Sequence, residues 1–136
     1  TAHAEAIWAA CRGLVAVRVP DFAAALAHAP GSVHAHYKCY VYVRPEALAP
    51  GWSRDRIADA ISAQGVPCYQ GSCSEVYLEK AFDGTGWRPA TRLPVARALG
   101  ETSLMFLVHP TLTAAEIART CEVLRQVLRE AGGVAA

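Results

Sequence analysis

The sequence predicts an α+β fold in which a small antiparallel or mixed sheet carries helices packed on one face. Residues 34–44, HAHYKCYVYVR, are rich in Tyr and Val and alternate as a strand does before Pro45. A capping sequence at Thr113 precedes apolar residues at helical spacing. The 136 residues, 53% of them hydrophobic, suit one domain with its own core.

The first elements follow from apolar spacing and from breakers. Residues 4–13 place apolar side chains on one helical face, which predicts a helix. Residues 14–19 alternate and predict a strand that Pro20 ends, with three valines on one side. Residues 21–29 predict a short helix that Gly31 closes.

The strand over residues 34–44 has two different faces. One face is predicted to join the core because most of its side chains are apolar, and the other is amphipathic enough to line a cleft or an interface. The core face carries Tyr37, Cys39, Val41 and Val43, and the opposite face carries His36, Lys38, Tyr40, Tyr42 and Arg44.

Ser53 is predicted to cap a helix that runs to about Gln64 and ends at Gly65. Thr113 begins the last helix with a capping box, Thr-Ala-Ala-Glu, and the glycines at 132–133 end it. Its predicted apolar face consists of Ile117, Cys121, Leu124 and Leu128. Between these helices the sequence predicts a strand over 67–70, a helix over 74–82, a loop over 82–90, a helix over 93–99 closed by Gly100, and a buried strand over 103–108.

Composition argues against several classes of function. The 13 basic and 12 acidic residues leave a net charge of +1, which is too little to grip nucleic acid or an anionic membrane. The apolar run at residues 104–108 is strand-sized, no run approaches the ~20 residues of a membrane-spanning helix, and the first residues lack a signal-peptide pattern. Five cysteines without close repeating spacing favour a reduced protein. We therefore expect a cytoplasmic protein with no nucleic-acid or membrane partner.

Possible metal ligands are incomplete. Cys68 and Cys73 are spaced C-x4-C, whereas zinc signatures usually show tighter pairs and a matching second pair. His34 and His36 share one strand face but have no third ligand in reach along the sequence. The sequence therefore predicts no metal site.

Cys73 is a possible nucleophile because it precedes a predicted helix start. Such a thiol needs a nearby base, and the simpler interpretation is that Ser72 and Ser74 cap the helix while Cys73 only fits beside them. The possible bases are His34, His36 and His109.

Lys38 and Lys80 are the two lysines of the chain and hence its two possible Schiff-base amines. A Schiff-base lysine needs burial or a cationic neighbour. Lys80 follows Glu75 and Glu79 and fits a solvated face, whereas Lys38 lies among tyrosines. The chain also lacks a glycine-rich phosphate loop and a nucleophile elbow.

Four stretches, taken in order, carry a resemblance to a known family. They read HYKCYVYVRPE, SRDRIADAISAQGVPCYQGSCSEVYLEKAF, RLPVARALGETSLMFLVHPTLT and IARTCEVLRQVL. Together they resemble the C-terminal small domain of DegT/DnrJ/StrS aminotransferases, from about residue 4 onward. These are fold-type I enzymes that depend on pyridoxal phosphate and act on nucleotide-linked keto sugars.

The resemblance implies that residues 1–136 are a single domain, roughly the last third of a longer homodimeric enzyme. The large N-terminal domain of that enzyme would carry the Schiff-base lysine, so no catalytic residue and no bound cofactor are expected in this chain. The resemblance further implies a sugar-nucleotide substrate, an amino-acid amino donor, and a role in polysaccharide or amino-sugar assembly.

The resemblance also implies a wall for the sugar substrate. Family members often show Tyr-His-x-Tyr where this chain has Tyr37-Lys38-Cys39-Tyr40, so a cation replaces a histidine and could meet the phosphates. Gly71 and Tyr77 overlie positions that are histidines in many members. The predicted substrate-binding residues are Lys38, Tyr40, Tyr69, Gly71, Ser72, Cys73 and Tyr77.

Two other functions are compatible with the sequence. One is a free-standing α+β binding module without pyridoxal phosphate, in which the loop from Tyr69 to Tyr77 only joins a strand to a helix. The other is a thiol enzyme that uses Cys73. For the isolated piece we also expect exposed apolar surface at Trp8 and at the Tyr40/Tyr42 strand face, and hence weak homo-oligomers.

Overall fold

The computed structural model describes residues 2–22, 28–29 and 31–132. Within these ranges helices and short strands follow one another along the chain, with three single turns of 3₁₀ helix between them. The elements are α1 (Ala2–Cys11), β1 (Val17–Arg18), β2 (Cys39–Val43), α2 (Arg54–Ala63), β3 (Cys68–Tyr69), α3 (Pro94–Thr102), β4 (Ser103–Phe106) and α4 (Ala114–Ala131).

The four strands form one antiparallel sheet in the order β1-β2-β4-β3. Cys39 lies opposite Phe106, which in turn lies opposite Cys68 on β3. The α+β fold predicted from the sequence is confirmed, and the sheet is the antiparallel one of the two predicted kinds.

The core lies between one face of this sheet and the helices α1, α2 and α4. Cys39, Val41 and Val43 of β2 are buried with Leu104 and Phe106 of β4. The helices cover them with apolar side chains at helical spacing. These side chains include Ile7 and Cys11 of α1, Ile57 and Ile61 of α2, and Ile117, Cys121, Leu124 and Leu128 of α4.

The helix ends follow the predicted capping chemistry. The Ser53 hydroxyl accepts a hydrogen bond from the Arg56 N–H, and Gly65 adopts a φ of 79° just beyond the end of α2. Thr113 and Glu116 form the capping box at the start of α4. Such contacts satisfy amides that a helix cannot satisfy internally.

The strand predicted over residues 34–44 is shorter, and part of its face assignment is wrong. Regular pairing covers only Cys39–Val43. Tyr37 was expected in the core but is 88% exposed, whereas His36 was expected outside and is 8% exposed. His36 has a φ of 50°, and this left-handed residue breaks the alternation before the strand begins.

The strand predicted over 14–19 also shrinks. Only Val17–Arg18 pairs with β2, so Val17 is buried while Val15 is exposed. Most of the helix predicted over 21–29 lies outside the described residues.

The segment between β3 and α3 departs furthest from prediction. Residues 74–82 form two 3₁₀ turns, Val76–Leu78 and Lys80–Phe82, in place of a helix. Helix α3 continues through Gly100 to Thr102, and β4 ends at Phe106. Gly100 is therefore an interior helix residue, and a Cβ there would lie 2.1 Å from the Ser74 hydroxyl. Its role is to let this segment approach α3.

None of the helices in the described ranges is both long and apolar enough to cross a bilayer.

Candidate functional site

The outer face of the sheet, opposite the core, carries polar and aromatic side chains. Tyr40, Met105 and Tyr69 lie in one cross-strand row, because Met105 is the register partner of both tyrosines. Tyr42 lies in the next row and its ring is stacked with that of Tyr40 at 6.2 Å between centroids. The Arg18 guanidinium lies 4.5 Å from the centre of the Tyr42 ring, a favourable cation–π distance.

Lys38, Tyr40 and Ser72 meet at one end of this face. The Lys38 ammonium donates to the Ser72 hydroxyl at 2.6 Å, and the Ser72 N–H donates to the Tyr40 hydroxyl at 3.1 Å. The Tyr40 hydroxyl also lies 3.3 Å from the Ser72 hydroxyl. Lys38 and Tyr40 are thus both joined by hydrogen bonds to Ser72, a predicted site residue more than 30 positions further along the sequence.

Gly71 makes this meeting possible. Its φ is 96°, and an added Cβ would lie 2.4 Å from Cε1 of the Tyr40 ring. Only a residue without a side chain allows the loop backbone to lie against the tyrosine. Gly71 therefore contributes to the site indirectly, by allowing the loop backbone to place Ser72 beside the Tyr40 hydroxyl.

These side chains border a cleft of about 400 Å³, which we call the tyrosine cleft. Its wall includes Trp8, His34, Lys38, Tyr40, Tyr42 and Ser72.

Neighbouring groups shift the pKa values of the two tyrosines of this cleft in opposite directions. Burial raises the pKa of Tyr40, but the hydrogen bonds with Ser72 and the charge of Lys38 outweigh burial, so its pKa lies below the ordinary value. Burial raises the pKa of Tyr42 despite the nearby Arg18. Each tyrosine offers a hydroxyl and an aromatic face to the cleft.

Two predicted site residues make their hydrogen bonds elsewhere. The Cys73 thiol is exposed and donates to Glu79 at 3.4 Å. The Tyr77 hydroxyl donates to Glu75 at 2.6 Å and accepts from the Leu93 N–H at 2.8 Å. Tyr77 thus organises the segment between β3 and α3.

Arginines hold the same segment in shape. Arg92 forms a two-pronged ion pair with Glu75. Arg88 donates to the backbone carbonyls of Tyr77, Leu78 and Glu79 at 2.8–3.0 Å. Neither arginine is predicted as a site residue from the sequence, because neither belongs to a recognisable motif.

The remaining candidate residues, Cys68 and Lys80, lie outside the tyrosine cleft. Cys68 is buried, and burial raises its pKa to about 12, so its thiol stays protonated. No group of three or more histidine, cysteine or acidic side chains in the described ranges is arranged to hold a metal ion. Lys80 is exposed on a 3₁₀ turn.

Exposed apolar surface was predicted at Trp8 and at the Tyr40/Tyr42 strand face, and the structure agrees with this only in part. Trp8 is 3% exposed, and its indole N–H donates to the Tyr40 carbonyl at 2.9 Å, so its expected exposure is wrong. Tyr40 and Tyr42 are half-buried. Trp87, in the segment before α3, is 77% exposed.

Comparison with solved structures shows which proteins this chain resembles in fold. An aminotransferase from Psychrobacter cryohalolentis matches with a TM-score of 0.85 and 53% sequence identity over 93% of this chain and 32% of its own. A DegT DnrJ EryC1 StrS aminotransferase from Brucella abortus matches with a TM-score of 0.68 and 21% identity, over 92% of this chain and 29% of its own. DesV from S. venezuelae, solved with a ketimine intermediate, matches with a TM-score of 0.69 and 20% identity, over 93% and 30%.

The predicted resemblance is confirmed: this chain has the fold of a domain-sized part of DegT/DnrJ/EryC1/StrS aminotransferases. It spans about a third of the length of the solved structures that it matches. The chain matches no protein-family model and no curated protein sequence.

Proposed function

We propose that this chain is the C-terminal small domain of a pyridoxal-phosphate-dependent aminotransferase that acts on a nucleotide-linked keto sugar. In this proposal the tyrosine cleft is the wall of the sugar site. The partners are a large domain of the same polypeptide, a second subunit, the sugar nucleotide and an amino-acid donor. The enzyme acts in the cytoplasm, in amino-sugar or polysaccharide assembly.

The observation that carries the proposal is the joined set of Lys38, Tyr40 and Ser72 on the outer face of the sheet. The 53% identity to an aminotransferase extends over nearly the whole chain, which supports the same class for the protein that contains it. A sugar offers hydroxyl groups and an apolar ring face, and this set offers hydroxyls, an ammonium and aromatic faces.

The chain's own residues would bind and orient the substrate. Lys38 uses one of its three N–H donors on Ser72, which leaves two for an anionic group of the substrate. The Tyr40 and Ser72 hydroxyls can exchange their mutual hydrogen bonds for bonds to sugar hydroxyls. The ring of Tyr42, which contacts Tyr40 and Arg18, would offer an aromatic face to the sugar ring.

The described residues do not by themselves fit pyridoxal phosphate. The Lys38 ammonium is held by a serine, and Lys80 lies on the surface. When bound in a complete enzyme, the cofactor supplies the electron sink for amino-group transfer. We therefore propose that the Schiff-base lysine lies outside these 136 residues and that the isolated chain is inactive.

A trapping experiment tests the location of that lysine. We would incubate the 136-residue chain and a longer protein that contains it with pyridoxal phosphate, reduce both with borohydride and measure their masses. We expect stoichiometric labelling of the longer protein alone. Stoichiometric labelling of Lys38 or Lys80 in the short chain contradicts the proposal.

A kinetic experiment in the longer protein tests the sugar wall. Ser72→Ala and Tyr40→Phe should raise KM for the sugar nucleotide and leave the amino-donor half-reaction unchanged. Cys73→Ala serves as the matched control, since its thiol bonds to Glu79 outside the Lys38–Tyr40–Ser72 set. An unchanged KM for the sugar nucleotide in both cleft variants would exclude the tyrosine cleft as the wall of the sugar site. Loss of turnover in Cys73→Ala would favour a thiol enzyme that uses Cys73.

The second candidate, a free-standing binding module, is favoured by the closed core, which α1, α2 and α4 complete without another chain. An adjoining coding sequence for a pyridoxal-phosphate domain in the same reading frame would exclude it. Labelling of neither protein by the trapping reaction would favour it.

A further inference from the structure

Two histidines, His34 and His36, lie just before β2 and pack against aromatic side chains. Their rings lie 4.5 Å apart between centroids in an edge-to-face arrangement. The His34 ring is stacked on Phe22 at 4.4 Å, and the His36 ring lies 5.2 Å from that of Trp8. Because the rings of Trp8 and Phe22 are themselves 5.5 Å apart, the four rings form a closed group, which we call the imidazole cluster.

A backbone hydrogen bond fixes the protonation state of His34 in this cluster. The His36 N–H donates to His34 Nδ1 at 3.0 Å. A ring nitrogen that accepts a hydrogen bond carries no proton, so the proton of the neutral His34 ring lies on Nε2. An imidazolium ring carries protons on both nitrogens. Protonation of His34 therefore removes the acceptor of the His36 N–H.

His36 is held in a conformation that needs support from its neighbours. Its φ of 50° is uncommon for a residue that carries a side chain. It is 8% exposed, and its Nδ1 atom is buried without a hydrogen-bond partner among the described residues. An imidazolium in this position would be a buried cation with a donor that no acceptor satisfies. The position of His36 therefore suits the neutral ring alone.

The charges around His36 also oppose its protonation. Burial, then the charge of His34 and the amino-terminal charge, lower the pKa of His36, and Glu5 of α1 opposes them. Glu5 is itself paired with Arg12 at 3.4 Å, and Asp21, beside Phe22, is the carboxylate of the other packed segment. The other ionisable side chains that line the cavity next to His36 are His3, Tyr37, Lys38 and His109, and none of these is a carboxylate.

The imidazole cluster forms one side of the tyrosine cleft. Trp8, Phe22 and His34 line the cleft together with Tyr40 and Tyr42. The Trp8 indole N–H donates to the Tyr40 carbonyl at 2.9 Å, which joins the cluster to β2. A displacement of either imidazole therefore changes the shape of the cleft.

We propose that His34 and His36 are an acid-sensitive latch on the tyrosine cleft. While both rings are neutral, the bond from the His36 N–H to His34 and the ring contacts keep the cluster closed. A proton on His34 breaks that bond, and a proton on His36 drives its ring from the buried position towards water, so either event releases residues 34–36 and opens this side of the cleft. The latch rests on the contacts of the cluster, and its effect on a sugar nucleotide rests also on the proposed function.

NMR of the 136-residue chain between pH 8 and pH 5 tests the latch. Solvent exchange of the His36 N–H, relative to its intrinsic rate at each pH, should speed up by up to about tenfold as pH falls, the factor that corresponds to one net hydrogen bond. The Trp8 indole and Tyr40 ring signals should shift with the same midpoint as the His34 or His36 ring protons. Titration of both histidines without a shift of these cleft signals would overturn the latch. Loss of the far-ultraviolet circular dichroism in the same transition would replace it by global unfolding.

Asparagine substitutions remove the titration and keep the backbone geometry. In His34→Asn the new side chain can accept from the N–H two residues on, as in an Asx turn, and in His36→Asn it tolerates the left-handed backbone. With both substitutions the cleft signals should no longer change between pH 8 and pH 5, and each single variant should keep the part of the transition that belongs to the remaining histidine. His28→Asn is the matched control, because His28 is exposed and does not line the cleft. A native transition in the double variant, or in both single variants if the double variant does not fold, would overturn the latch.

The latch and the sugar wall can fail separately. The NMR titration contains no substrate, so its outcome does not depend on what the cleft binds. An unchanged KM in Tyr40→Phe and Ser72→Ala would exclude the sugar wall and leave the titration unaffected. Where both hold, KM for the sugar nucleotide in the longer protein should rise more steeply with falling pH in the native protein than in the double variant. An equal rise in the two proteins would contradict the action of the latch on the sugar site.

Discussion

The two faces of the sheet are built by different interactions. The inner face contributes Val41, Leu104 and Phe106, which are buried against helices and interact through apolar contact. The outer face contributes Tyr40 and Tyr42, whose positions depend on hydrogen bonds, ring stacking and a cation. Apolar burial is non-directional, whereas these polar contacts are directional. The inner face therefore stabilises the fold, and the outer face arranges chemical groups.

The segment between β3 and α3, like the outer face of the sheet, is held by directional polar contacts. Arg88 donates hydrogen bonds to backbone carbonyls of this segment. Tyr77 and Arg92 both donate hydrogen bonds to the Glu75 carboxylate. Exposed ion pairs contribute little to global stability. We therefore expect substitutions in this segment to change local structure more than the free energy of unfolding.

The largest expected effect lies on the inner face. Phe106→Ala should lower the free energy of unfolding by about 3–5 kcal/mol, because it removes a buried aromatic side chain and leaves a cavity. Leu107→Ala is the control, since Leu107 is the next residue but is exposed, and it should change stability by about 0.5 kcal/mol or less. Urea denaturation followed by circular dichroism measures both, and equal effects would contradict the division between the two faces.

A glycine on the outer face should have the next largest effect. Gly71→Ala combines a positive φ with a contact against Tyr40 and should cost about 1–3 kcal/mol. Gly84→Ala also places an alanine at a positive φ, 69°, but no atom lies within 4 Å of the added Cβ. Denaturation of both variants separates backbone strain from the clash. If Gly84→Ala lowers the free energy of unfolding as much as Gly71→Ala does, the Tyr40 side chain moves aside at little cost.

Acidification tests His36, which lies where the outer face meets the core. Burial, followed by the charge of His34, lowers the pKa of His36 from its ordinary value of 6.5, and Glu5 opposes this shift. The unfolded chain then binds more protons than the folded chain, so stability is lost as pH falls below about 6.5. Denaturation between pH 7 and pH 5 should show this loss in the native chain and less of it in His36→Asn, with His28→Asn unchanged from native.

The smallest global effect is expected in the segment before α3. The hydrogen bonds from Arg92 and Tyr77 hold the pKa of Glu75 at about 2, so its contribution is complete above pH 4.5 and is lost as pH falls towards 2. Glu75→Gln should speed amide exchange from residue 75 to Leu93 at neutral pH and barely alter the unfolding transition. Glu79→Gln, in the same segment, is the control. Equal exchange in the two variants would show that Glu75 does not hold the segment.

The resemblance and most core positions could be predicted from the sequence. The caps of α2 and α4 and the apolar face of α4 were predicted correctly because capping and helical spacing are local signals. Tyr37 and His36 were assigned to the wrong faces because alternation was extended through a left-handed residue. The helix predicted over 74–82 fails because Glu75 and Tyr77 bond to Arg92 and Leu93, far along the chain, in place of a helical pattern.

The sequence by itself determined the α+β class, the caps at Ser53 and Thr113 and the apolar side of β2, because each depends on neighbours a few residues away. Only the tertiary structure decided that Lys38 meets Ser72, 34 residues further on, and that Cys73 and Tyr77 turn to other partners. That meeting depends on the strand order and on a glycine that lets two backbones approach. Such contacts are set by the packing of distant segments, which short-range patterns do not encode.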